Sequence, residues 1–347
     1  MFKNVLNTVF DSSAASGETT PAPEPIQLQN DEVSLLDDTV MNSHDTAFLN
    51  YLFGETTSMA EAETDPFSDY VSEQLERILI APQAILSELP IMPASITTLI
   101  AELQSDEFNV EALLEVIESE AGVAADVIKL ANSARYKRSE KSITDLKAAF
   151  MNIGAQGLIE GVIESYIKDF TPSFNIYWRH FGQNIWNHSI QTAEFAKVLV
   201  KNTDLESELA TAYFIGLIRN LGRMITFQIM IEAFRHVDPD ASPNSSGFKK
   251  LIHKYETRLT FSIAHFWQLP EIIQTALAFQ ISEKLKSTSL GIVVLEANYL
   301  SEVQCLLNMG SIDDEVFIRC IQSHLTTNNA RQLAAQFLNE KEISMQS

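Results

Sequence analysis

Apolar positions recur at helical spacing over most of the chain. Ile96, Leu99, Ile100 and Leu103 fall at i, i+3, i+4 and i+7, one face of a 3.6-residue period. Val71, Leu75, Ile78 and Leu79 form an earlier stripe of the same kind. From about Tyr70 onward the pattern is helical almost without a break, and no alternating run predicts a strand. The punctuation agrees. "LPIMP" (Leu89–Pro93) interrupts the helices, because neither proline suits a helix interior. Asn109 predicts an N-cap for Val110–Ser119. Thr144 predicts a cap for "DLKAAFMNI", which Gly154 would end at its C′ position. Thr203 and Glu206 have capping-box spacing ahead of a long helix that carries "GLIRNLGRMIT" (Gly216–Thr226). Pro270 and Glu271 open another. The expected fold is all-α: a domain over 71–310 made of two helical sub-bundles, about 80–170 and 171–305. Two short helices over about 312–340, within a C-terminal segment 311–347, pack on the domain or extend it.

Residues 1–70 read differently. Residues 11–30 are small, polar and proline-containing, the composition of a linker or disordered segment. Over 31–54, Val33, Leu36, Val40, Phe48, Leu49, Leu52 and Phe53 give a broken helical stripe in an acidic background. Two readings stay open. The stripe packs on its own domain, or Val33, Leu36, Val40, Phe48, Leu52 and Phe53 anchor a docking helix in a partner's groove.

Charge sharpens this division. The formal net charge is −22, and residues 11–76 hold 15 acidic side chains with no Lys or Arg. Residues 77–347 hold 31 acidic against 23 basic, a mildly acidic globular balance. That balance disfavours nucleic acid and anionic membrane as partners, since phosphates need Lys and Arg to neutralise them. "MFKNVLNTVF" is a poor secretory signal, and no uninterrupted apolar run of about 18 residues predicts a membrane span. Cys305 and Cys320 lie in apolar helical contexts and read as reduced, buried thiols of a cytoplasmic protein.

Residues 89–136, "LPIMPASITTLIAELQSDEFNVEALLEVIESEAGVAADVIKLANSARY", resemble the opening of the HDOD family. There an "LPxLP" element leads through helices to "ESDPxLxxxxLxxANS". The family's Asp-Pro is Glu120–Ala121 here, and "LANSA" (Leu130–Ala134) is intact. "SITDLKAAFMNIG", "IWNHSIQTAEFAKVL" and "FWQLPEIIQTALAFQ" resemble later family segments in the family's order, so the likeness covers about residues 80–305.

The resemblance implies kinship with the HD superfamily of metal-dependent phosphohydrolases. In catalytic members a His, a His-Asp pair and a later Asp bind metals that activate water. The first His matches His188, and the His-Asp pair falls on Arg219–Asn220. The Lys that follows matches Arg223, the later Asp falls on Asn298, and a trailing His pair falls on Gln280–Ile281. Both carboxylates are thus amides. An Arg cation about 4 Å from a divalent ion is repelled by roughly 8 kcal/mol at an effective dielectric of 20. The expectation is a non-enzymatic signalling or scaffold domain with a vestigial pocket of His188, Arg219, Asn220, Arg223 and Asn298, and no cofactor. The resemblance implies partners such as histidine kinases, response regulators or cyclic-dinucleotide enzymes. Two rival readings remain. One is a phosphohydrolase with an unusual ligand set that includes His180 and His188. The other is a nucleotide or phosphate sensor that uses Arg219 and Arg223, since Arg suits phosphate forks.

Overall fold

The computed structural model describes residues 43–55, 66–103, 109–138, 142–170, 176–237, 246–281 and 288–346. These residues form fifteen α-helices and, among them, no strand. The chain runs through α1 (Ser43–Phe53), α2 (Pro66–Ile80), α3 (Gln83–Ser87), α4 (Ala94–Glu102) and α5 (Val110–Ser119). It continues through α6 (Ala121–Ala131), α7 (Leu146–Lys168), α8 (Ile176–Val200), α9 (Leu209–Ile218) and α10 (Leu221–Val237). The last five are α11 (Ser246–Phe266), α12 (Glu271–Ile281), α13 (Ser289–Asn308), α14 (Asp314–His324) and α15 (Asn328–Gln346).

The long α8 is the central strut. It is flanked by α9 and α13, while α6 lies along α7, and α7 touches α9. The second half closes through α10 on α11, α11 on α12 and α12 on α13, with α14 and α15 packed on α13. One continuous apolar cluster runs from Phe48 to Phe337, so all these layers share a core. The stretch Glu206–Ala233, counted across the joint between α9 and α10, and α13 are apolar and long enough to cross a bilayer. They are 94% and 72% buried in the fold, as core helices are, and no uninterrupted apolar run marks them in the sequence.

Local chemistry sets the helix ends, and several differ from the sequence expectation. Asn109 does cap α5, accepting from the Ala112 amide at 3.1 Å. The cap of α7 is Asp145 rather than Thr144: its carboxylate accepts from the Ala148 amide at 2.7 Å. A carboxylate at that position also meets the positive end of the helix dipole. Gly154 ends the first helical segment of α7, as the sequence predicts. It takes φ 72°, ψ −176° and turns the chain between two helical segments of α7, a conformation that glycine adopts without steric cost. Thr203 makes a local turn, bonding the Leu205 amide at 3.1 Å, and a 3₁₀ turn at Glu206–Glu208 precedes α9.

The most consequential difference is at Arg219–Asn220. These residues do not lie inside one long helix; they join α9 to α10. The Thr260 hydroxyl on α11 enters this joint, donating to the Arg219 carbonyl at 3.0 Å and accepting from the Gly222 amide at 2.9 Å. A side chain inserted into a helical ladder is a recognised cause of a break. Gly222 permits it: a Cβ there would stand 2.0 Å from the Glu256 carbonyl oxygen.

Candidate functional site

The close approach of α10 to α11 brings two guanidinium groups onto one carboxylate. Glu256, on the apolar stripe of α11, takes a bidentate fork from Arg223, with Nε at 2.5 Å and Nη2 at 2.6 Å. Arg219 reaches the same carboxylate at 3.4 Å and donates to the Asn220 side-chain oxygen at 3.0 Å. Asn220 then donates to the Asn298 side-chain oxygen on α13 at 3.2 Å. One turn on, Glu302 accepts from Asn298 Nδ2 at 2.9 Å and lies 3.9 Å from Arg223. His188 of α8 completes the ring, 3.1 Å from the Asn298 oxygen and 2.8 Å from the Ser301 hydroxyl. The amide oxygen can only accept, so Nε2 carries the proton; the Ser301 hydroxyl beside Nδ1 also donates to the Gln191 side-chain oxygen at 2.7 Å.

All seven of these charged, amide and imidazole residues are at most 9% exposed. Burial, then the charge of Arg223, pushes the His188 imidazole down to about 3, so it is neutral. Burial would raise Glu302, but the hydrogen bond and charge of His44 outweigh it and hold the carboxyl at about 2. Burial would also raise Glu256, and the two arginines keep it below the ordinary carboxylate range. Burial lowers Arg219; for Arg223 the charge and hydrogen bonds of Glu256 overcome burial and raise it. Arg219 Nε and Arg223 Nη1 have no hydrogen-bond partner among the described residues.

α1 lies across this cluster. His44 Nε2 meets Glu302 at 3.0 Å, and the Phe48 ring sits 4.8 Å from the His188 ring, with the Arg223 guanidinium 5.4 Å from its centre. Phe48, Leu49, Leu52 and Phe53 are all buried. This corrects the reading of α1 as an outward docking helix: the face that Phe48, Leu52 and Phe53 would offer a partner is filled by the chain's own core. Val33, Leu36 and Val40 lie outside the described residues.

The structure therefore brings together His188, Arg219, Asn220, Arg223 and Asn298, the five residues singled out in the sequence. It adds Glu256, Ser301, Glu302 and His44, which sequence reasoning missed. Glu256 has a signal: it shares the stripe of Ile252, Tyr255, Leu259 and Ile263, where a charge needs a partner. His180 is exposed, about 12 Å back along α8, and is not a member. Gln280 bonds the Ala276 and Gly291 carbonyls instead. The anion-site expectation for Arg219 and Arg223 meets a plain obstacle: both guanidinium groups are buried and engaged with Glu256.

An all-α domain with a polar cluster held between α8, the α9–α10 joint, α11 and α13 is the architecture of an HD-related domain. The HDOD domain profile matches residues 89–282, more than half of the chain, and the chain belongs to the HDOD family, a signalling-associated branch of that class. An HDOD domain protein of unknown function from Geobacter sulfurreducens superposes with a TM-score of 0.53 at 16% identity, covering 78% of this chain and 96% of that one. A provisionally assigned phosphohydrolase from Shewanella amazonensis SB2B gives 0.51 at 18% identity, covering 73% and 91%. At such identities the likeness establishes the fold. An uncharacterised protein of Treponema pallidum (strain Nichols) is 21% identical over 209 residues, which span 56% of this chain and 38% of that relative.

Proposed function

We propose that this chain is a non-enzymatic, cytoplasmic signalling domain that acts by binding other proteins, its HD-type pocket having been turned from a metal site into a structural ionic cluster. The observation that carries the reading is the pairing of Arg219, which falls on the position of a metal-binding His, and of its neighbour Arg223 with Glu256. The donor set does not fit a divalent metal. His188 has both ring nitrogens engaged, Glu256 is held by two arginines, and Glu302 is held by His44 and Asn298. Two guanidinium cations within the cluster would repel the ion. Among the described residues no three His, Cys, Asp or Glu side chains converge as metal ligands do. The resemblance points to kinases, response regulators or cyclic-dinucleotide enzymes as partner classes. Elemental analysis of untagged, chelator-free protein tests the reading, together with a phosphoester hydrolysis assay on the chain and on His188→Ala. No stoichiometric metal and no His188-dependent hydrolysis are expected. About one or two metal ions per chain, or hydrolysis lost in His188→Ala, would overturn it.

A further inference from the structure

α1 is joined to its surroundings in an unusual way for a core helix. Its central aromatic, Phe48, rests on the polar surface of His188 and Arg223 rather than on aliphatic side chains alone. Apart from Glu302, the members of that floor hydrogen-bond one another without help from α1: Arg219 and Arg223 to Glu256, Asn220 and His188 to Asn298. A mixed polar and apolar floor is the character of an interface between bodies; toward the end of α1 the contact is aromatic, with the Phe53 and Phe227 ring centres 5.1 Å apart.

The helix is also pinned at both ends by groups distant in the sequence. At its first turn His44 meets Glu302, and Asp45 faces His253 at 3.7 Å. At its end the Lys249 ammonium donates to the Asn50 side chain at 2.7 Å and to the Gly54 carbonyl at 2.6 Å. Gly54, at φ 82°, turns that carbonyl outward in the usual left-handed helix ending. Asn184 donates to the Tyr51 carbonyl at 3.3 Å. The pins are polar at both ends: a carboxylate for His44 and an imidazole beside Asp45 in the first turn, and a lysine on the Gly54 carbonyl just past the last. Beside α1 the fit is incomplete. A cavity of about 310 Å³ opens between Tyr51, Asn187, Gln191 and Cys305 and reaches His188.

We propose that α8, α11 and α13 form a helix-binding groove in which α1 is the resident, displaceable occupant, leaving and re-entering while the rest of the domain stays folded. The groove suits one kind of ligand: an amphipathic helix with a cationic or imidazole side chain in its first turn, an aromatic four residues on and a leucine eight residues on. An eleven-residue helix is marginal by itself in water. Its four buried apolar side chains must offset the ordering of its whole backbone, so occupancy depends on the pins. Undocking would uncover His188, Arg223 and Glu302 together with the apolar walls. This inference does not depend on the absence of a metal, and its test reads a different property.

Peptide-resolved hydrogen exchange on the full chain decides it. The α1 amides are expected to exchange at least about tenfold faster than those of α8 and α13, by an opening insensitive to low denaturant. Lys249→Met and His44→Ala should each speed α1 further and leave α8 and α13 unchanged. If α1 in the unmodified chain exchanges with the same free energy as α8 and α13, the helix is an integral core element and the proposal is wrong. Equal slowing or quickening of all three helices in the variants overturns it as well.

Discussion

Two carboxylates stand at the centre of two ionic clusters, Glu160 on α7 and Glu256 on α11. Glu160 is fully buried and accepts from the Tyr136 hydroxyl at 2.6 Å, Gln156 at 2.9 Å and Lys197 at 2.7 Å, with Arg135 as a fourth donor. Its cations remain at the rim: the Arg135 side chain is 34% exposed and also pairs with Glu194. Glu256 faces the opposite situation, because the side chains of its partners Arg219 and Arg223 are only 9% and 4% exposed. Similar ion pairs therefore have unlike consequences. If Glu160 is lost, its cations can turn to water. If Glu256 is lost, Arg219 and Arg223 stay buried with charge uncompensated.

That difference can be broken by mutation. Glu256→Ala should lower unfolding stability by about 3–5 kcal/mol in a urea titration, the usual result of stranding a buried partner. Glu160→Ala should cost less, about 1–3 kcal/mol. A larger loss at Glu160 would refute the contrast. Gly222→Ala forces a methyl into the Glu256 backbone and should cost about 1–3 kcal/mol. Gly122→Ala on α6, which meets open space, should be neutral or stabilising by up to about 1 kcal/mol, and serves as its control.

The pH profile sharpens the same contrast, since only the sealed cluster includes a histidine raised by its surroundings. Burial pushes His44 down, but the hydrogen bond and charge of Glu302, with the charge of Asp45, outweigh it and raise the imidazole above 6.5. Tyr299 of α13, itself stacked on His324, also packs on the ring. A raised pKa contributes stability that is full below 6.5 and disappears as pH rises through the folded value. Glu302, depressed from 4.5 to about 2, contributes above 4.5 and is lost as pH falls toward 2. Thermal melts across pH should show both limbs, and His44→Ala should remove the alkaline one; an unchanged alkaline limb would assign it to another group. The smallest expected effect is at a cap: Asp145→Ala should cost about 1 kcal/mol, and Thr144→Ala no more than about 0.5 kcal/mol.

Much of this was legible in the chain. The all-α class followed from helical periodicity, and five members of the polar cluster followed from motif order. What stayed hidden is instructive. The pairing of Arg223 with Glu256 spans 33 residues, and that of His44 with Glu302 spans 258, so no local pattern announces them. The break at Arg219–Asn220 was invisible because the Thr260 hydroxyl that makes it comes from another helix. At α7 the two candidate caps were adjacent, and the deciding geometry was which oxygen reaches the Ala148 amide.

The order in which partners leave the ribosome separates the two clusters in time. Every donor to Glu160 named here has been synthesised by Lys197. Arg219 and Arg223 wait for Glu256, and the ring closes only with Asn298 and Glu302 on α13. At roughly 5–20 residues per second the delay between the two closures is on the order of 5–20 s. Within that interval Arg219 and Arg223 are made before Glu256, their carboxylate partner, and before the α13 residues that complete the ring.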